Sequence, residues 1–253
     1  MNINLFVIGD ELLSGKRADK HLPTVIGLLA ARGLELHAAE FLPDDEARIA
    51  ESIARVRDRS EVLLSCGGIG ATPDDCTRQA AARAFAVPIE RHPEGLQILL
   101  AEFGERTYPN RALMVDFPAG ASLIPNPVNR VPGFYVEHCH FVPGFPEMAW
   151  PMLEWVLDHR LQHLHNAEPR VEYRLKALGT AGEGDLLQLM ETTLAQFPGI
   201  KLSSLPTRGT PDAPRHIEFG IKGPRVQADE AFRWFRQQLG TRSDVAIVDL
   251  QTP

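Results

Sequence analysis

Residues 61–77 read EVLLSCGGIGATPDDCT, an apolar block that stops at a glycine cluster, followed by two adjacent aspartates. The block Val62–Cys66 is short and wholly apolar, the signature of a strand buried on both faces of a parallel sheet. The alanine-rich run Thr77–Phe85 that follows predicts a helix. Glycine and carboxylate together at a strand's end point to a ligand, because ligands of open α/β sheets bind at the carboxyl ends of the strands. Gly67, Gly68 and Gly70 let backbone N–H groups approach an anionic oxygen. The loop is not a P-loop, since the GK[ST] ending is missing, and it is not a GxGxxG fingerprint. Asp74 and Asp75 would repel a bare phosphate, and two carboxylates with Thr72 and Thr77 exceed what helix capping needs. A divalent cation such as Mg²⁺ removes the conflict, because Mg²⁺ is held by one or two carboxylates together with phosphate oxygens.

Working outward, the same strand–helix alternation recurs on the N-terminal side. Ile3–Gly9 (INLFVIG) is an apolar strand, residues 21–33 have helical spacing, and residues 34–42 form a second strand. The charged segment 44–59 is an amphipathic helix with Ile49, Ile53 and Val56 inward and Asp44 as its expected N-cap. The strand ends carry GDELLSG, PDDE and CGGIGATPDD, so acids converge there from three places. Asp10 and Glu11 stand after the first strand and Asp44 after the second. Gly9, Ser14, Lys16 and Arg17 join them as ligand contacts, with Arg78 from the helix after the third strand as a further phosphate contact.

Beyond the third helix, residues 109–134 are rich in proline, glycine and asparagine and suit a long surface connection near a binding site. Residues 135–161 return as strand, Pro-Gly turn and long helix. In EHCHFVPG, His138 and His140 share a strand face, but no second ligand cluster at zinc spacing accompanies them. Past residues 166–169 the order is β-α-β-β-α-β. The sequence therefore predicts two domains: 1–166, a three-layer α/β/α unit with a mostly parallel sheet, and 167–253, a small α+β unit.

The 253 residues contain 44 % hydrophobic side chains, enough for a full core without covalent staples. The formal charge of −7 argues against nucleic acid and anionic membrane as partners. Three cysteines, Cys66, Cys76 and Cys139, without CxxC spacing suit reduced thiols and a cytoplasmic location. No secretory signal pattern opens the chain, and no apolar run approaches a membrane span.

The ordered motifs GDELLSG, GGIGATPDDCT and VPGFPEM resemble those of the competence/damage-inducible protein A (CinA) family. The likeness runs over Ile3–Leu164. That family's first domain belongs to the molybdopterin-binding superfamily of molybdenum-cofactor biosynthesis, with MoaB/MogA-like relatives. The tail resembles the family's KH-like module, although GTAGEGD lacks the GxxG spacing and basic setting of an RNA-binding loop. The family's larger carboxy-terminal amidohydrolase module has no counterpart in these 253 residues.

The resemblance implies two activities. One is metal-dependent hydrolysis of an ADP-ribose-type pyrophosphate; the other is molybdopterin binding with adenylyl transfer. The expected ligand is thus a phosphorylated nucleotide or a pterin such as molybdopterin, with Asp44 and Asp75 in the catalytic positions. The expected metal ligands are Asp10, Glu11, Asp74 and Asp75. A homo-oligomer, dimer or trimer, is the assembly the superfamily implies, and a non-catalytic ligand sensor is the alternative class. Three departures from the family pattern bear on the ligand: Ala71 replaces a proline, His21 an asparagine, and NPVNRVPGF an N-x-x-G-T-A-P-G-F run.

Overall fold

A computed structural model describes residues 1–253 except 167, 169, 210–213 and 251–253. The chain divides into two compact units, Met1–His165 and Asn166–Pro253.

In the first unit, β1 (Ile3–Ile8), β2 (Ala38–Leu42), β3 (Val62–Cys66), β6 (Ser122–Ile124), β7 (Gly133–Val136) and β8 (Cys139–Val142) form one sheet in the order β2-β1-β3-β8-β7-β6. The first four positions are parallel and the last two antiparallel. Side chains of β1 alternate between the faces: Ile3, Leu5 and Val7 join α2 (His21–Ala30) and α6 (Pro146–Trp155) on one side. Phe6 and Ile8 join α3 (Glu46–Asp58), α4 (Thr77–Phe85) and α5 (Pro93–Phe103) on the other. This period-2 split gives the predicted three layers. Val62, Leu63 and Leu64 are fully buried, each worth about 1.5–3 kcal/mol over exposure, so β3 anchors the sheet centre.

Three expectations change. The run 109–134 is not a loose connection: it folds into a 3₁₀ turn (Arg111–Val115), β5 (Asp116–Pro118) paired with β4 (Ile89–Arg91), and then β6 and β7. Val115, Phe117, Ala121 and Phe134 enter the core, and Phe134 stacks between Phe117 and Phe141. Buried apolar positions spaced among prolines override the loop-like composition. In EHCH, a hairpin turn falls on Glu137, at φ 52°, so His138 is exposed while His140 is buried, its Nδ1 3.1 Å from the Leu63 carbonyl. The N-cap of α3 is Asp45, whose carboxylate accepts from Arg48 N at 2.9 Å. Asp44 is engaged elsewhere.

The second unit is a four-stranded antiparallel sheet in the order β10-β11-β9-β12. Its strands are β9 (Val171–Gly179), β10 (Lys201–Thr207), β11 (His216–Gly223) and β12 (Val245–Asp249). α7 (Glu183–Gln196) and α8 (Arg225–Gly240) contribute Leu186, Ala231, Phe235 and Leu239 to a core with Leu175, Phe219 and Ile221. Among the described residues, no helix is long and apolar enough to cross a membrane.

Candidate functional site

β1 lies between β2 and β3, so the chain leaves it toward opposite edges, with α2 on one face and α3 on the other. Such a switch point opens a crevice at the strand ends. A cleft of about 400 Å³ lies there. Its walls are Ile8, Gly9 and Glu11 after β1, Arg17, Asp44 after β2, the Gly67–Thr72 loop with Asp74 and Asp75 after β3, and Pro143–Phe145 after β8.

Tight packing shapes the glycine loop. A Cβ on Gly67, at φ 112°, would collide with the Ile8 carbonyl, and one on Gly68, at φ 68°, with Thr77 Oγ1. Buried Thr77 closes the turn: its N–H donates to the Gly68 carbonyl (3.0 Å) and its Oγ1 to the Gly67 carbonyl (3.1 Å). None of the hydrogen bonds among the described residues uses the N–H of Gly68, Ile69 or Gly70. These three residues line the cleft, so their donors suit an anionic oxygen.

Asp75 serves the loop as well as the cleft. Its Oδ2 accepts from Thr72 N (2.9 Å) and from the Thr72 hydroxyl, while Asp75 N donates to the Thr72 carbonyl (3.0 Å). Asp44 and Asp10 clasp each other: Asp10 N donates to Asp44 Oδ2 (3.0 Å) and Asp44 N to Asp10 Oδ1 (3.3 Å). Burial pushes the Asp44 carboxyl above the ordinary carboxylate range, with Asp10, Glu11 and Asp74 adding repulsion and the Asp10 N–H opposing them. Glu11 stands 3.9 Å from the Arg17 guanidinium. The cleft thus presents four carboxylates, of Glu11, Asp44, Asp74 and Asp75, against one guanidinium.

The structure brings together Gly9, Glu11, Arg17, Asp44, Gly67, Gly68, Gly70, Thr72, Asp74 and Asp75. It sets the other predicted residues apart from the cleft wall. Asp10 spends its carboxylate on Asp44 N, and Ser14 ends the short helix α1 (Asp10–Leu13) through its backbone. Lys16 is exposed beyond that turn. Thr77 lies behind the loop, with its side chain committed to Gly67. Arg78 is a correction: it is buried, and its guanidinium donates to the carbonyls of Gly70 (2.7 Å), Leu113 and Asp116 (3.3 Å). It stitches the loop to residues 113–116 rather than facing a ligand.

The Pro143–Gly144–Phe145 wall was read in the sequence as helix initiation. Its signal was the strand-end Pro-Gly itself. A Cβ on Gly144 would lie 3.4 Å from Gly67 Cα, so the two loops touch backbone to backbone. His21 is 5 % exposed and brings Nε2 to 3.1 Å from the Gly144 carbonyl, fixing that wall from α2.

No group of three or more His, Cys, Asp or Glu side chains among the described residues is arranged to hold a metal ion. An all-protein cage is therefore not built. A Mg²⁺ shared with phosphate needs only one or two carboxylates, and the repulsion around Asp44 is the field such a cation would relieve.

An α/β unit with an anion-accepting glycine loop and an acidic wall at its switch point is the class that fold and site define. The family described as "Probable molybdopterin binding domain" matches residues 4–163, and the chain belongs to that family, in its CinA-like branch. It is 33 % identical over 197 residues to a CinA-like protein of Geobacter sp. (strain M21), covering 74 % of this chain and 47 % of that protein. A CinA-like protein of Syntrophotalea carbinolica is 31 % identical over 187 residues, covering 71 % and 45 %. The chain spans just under half the length of these curated relatives. Among solved structures, CinA of Thermoplasma acidophilum, described as of unknown function, superposes with a TM-score of 0.57. It is 22 % identical and covers 62 % of this chain and 98 % of its own, a likeness of fold.

Proposed function

We propose that the first unit binds a phosphorylated nucleotide or pterin together with a divalent cation, and that it hydrolyses an ADP-ribose-type pyrophosphate. The observation that carries this reading is the meeting of unpaired Gly68, Ile69 and Gly70 amides with four carboxylates in one cleft. Neither group alone accounts for the other: the amides attract anions and the carboxylates repel them, unless a cation lies between.

Asp75 and Asp74 would hold the cation, Asp75 through the oxygen not engaged by Thr72. When bound, the cation neutralises charge on the phosphoryl oxygens and so lowers the barrier to their displacement. The Gly68 and Gly70 amides take the non-bridging oxygens and stabilise charge that grows in the transition state. Asp44, whose carboxyl is raised toward neutrality, orients the attacking water and accepts its proton as oxygen bonds to phosphorus. The P–O bond to the bridging oxygen breaks, giving AMP and ribose 5-phosphate from ADP-ribose.

The test is AMP release from ADP-ribose by the whole chain with Mg²⁺ or Mn²⁺. Asp75→Asn keeps an acceptor for Thr72 N and removes the charge, so it should abolish turnover with the fold intact. Asp44→Asn should abolish turnover while sparing binding. No AMP from the wild type, with ligand still bound, leaves a ligand sensor. The description of the matched family favours a second reading, molybdopterin binding with adenylyl transfer. Tight capture of the pterin without nucleotide hydrolysis would select it.

A further inference from the structure

The cleft has a second wall that phosphate and cation do not use. Phe145 lines it with its ring 53 % exposed, and it makes no ring contact with another aromatic among the described residues. A large exposed aromatic inside a polar cleft loses free energy to water until something covers it.

The backbone carrying this ring is fixed on both sides. The Phe145 carbonyl accepts from Met148 N (3.0 Å) and Ala149 N (2.8 Å), starting α6, and Pro146 locks the next residue. Gly144 before it is held by His21 and abuts Gly67. The ring therefore stands at a set position relative to the glycine loop. A group resting on it gives up little extra freedom in the protein, the condition for preorganised binding.

We propose that Phe145 is the stacking platform for a planar nitrogen heterocycle of the ligand. The cleft then selects phosphorylated molecules that carry such a ring over the phosphate-bearing sugar alone. This inference rests on the phosphate reading above and adds the ring to it. Its occupant follows from continuity: the Gly67 and Gly144 backbones are in contact, so a molecule whose phosphate sits on the Gly68–Gly70 amides extends directly onto Phe145. Stacking on an aromatic side chain tolerates any flat base, so it sets a class rather than one molecule.

The experiment is calorimetric titration of the full chain in Mg²⁺ with three probes: AMP, a phosphorylated pterin, and ribose 5-phosphate. Wild type should bind at least one ring-bearing probe about 10-fold or more tightly than ribose 5-phosphate. Phe145→Ala should erase that advantage and leave ribose 5-phosphate unchanged, while Phe145→Trp should keep it. Which of AMP and the pterin gains more identifies the ring. Ribose 5-phosphate bound as tightly as both ring probes, with Phe145→Ala altering none, overturns this inference and leaves the phosphate reading standing. Failure of wild type to bind any probe overturns both. Light scattering supplies the remaining arm: a change of assembly mass in Phe145→Ala without any change in ring preference would assign the ring to contact with a second copy of the chain and overturn the proposal.

Discussion

Gly68→Ala tests whether the glycine loop is shaped by Thr77. An L-residue held at φ 68° costs about 1–2 kcal/mol over glycine. The new Cβ would also overlap Thr77 Oγ1, so Thr77 must rotate and release the Gly67 carbonyl. That bond is worth about 1 kcal/mol. Gly68→Ala should thus cost about 2–3 kcal/mol. Thr77→Ala alone should cost about 1 kcal/mol through the same lost bond. In the double variant the bond is lost only once and the clash is gone, so the total should fall short of the sum by about 1 kcal/mol. Urea unfolding of the four proteins measures this. A Trp234→Phe background leaves Trp150 and Trp155, both in the first unit, as reporters of that unit alone. Distant, independent sites add within about 0.5 kcal/mol, so additivity within that limit would refute the account. It would mean that the loop relaxes around the methyl without disturbing Thr77.

Two further outcomes follow from buried polar groups. His140 is buried with Nε2 unpartnered, and burial pulls its pKa from 6.5 down to about 4. Between those values the unfolded chain binds the proton that the folded chain refuses, so stability falls as pH drops from 6.5 toward 4. At 1.36 kcal/mol per unit the loss reaches roughly 3 kcal/mol. His140→Phe should flatten this limb in a pH series of urea melts; an unchanged limb would remove His140 as its cause. Arg78→Met leaves the Gly70, Leu113 and Asp116 carbonyls without their donor. It should cost about 3 kcal/mol in the same assay and loosen residues 113–116 in hydrogen exchange. A loss below about 1 kcal/mol would show that those carbonyls find other partners.

Much of this architecture is local enough to be legible in the residues. Val62–Cys66 is a strand because five apolar residues in a row cannot face water on either side. The GGIG turn follows because only glycine accepts its φ angles and its contacts with Ile8 and Thr77. The acids at three strand ends were readable for the same reason, since a parallel strand's carboxyl end is fixed once the strand is assigned. Glu11, Asp44, Asp74 and Asp75 duly line one cleft.

What the chain order could not supply is which way neighbouring polar groups turn. Asp44 and Asp45 are adjacent and alike, yet Asp45 caps α3 while Asp44 meets Asp10 N, a partner 34 residues away. Arg78 carries the charge expected of a phosphate contact, but its carbonyl partners at Leu113 and Asp116 exist only after β5 has folded onto α4. Phe145 reads as one more apolar residue before a helix. Its exposure in the cleft is set by His21 on Gly144 and by the close approach of Gly67. Sequence by itself determined the elements, their parallel alternation and the acidic, glycine-bearing strand ends, because those depend on spacing within a few residues. Only the tertiary structure decided which carboxylates face the cleft, which cation is buried as a strut and where an aromatic wall stands. Each of those depends on contacts between segments far apart in the chain.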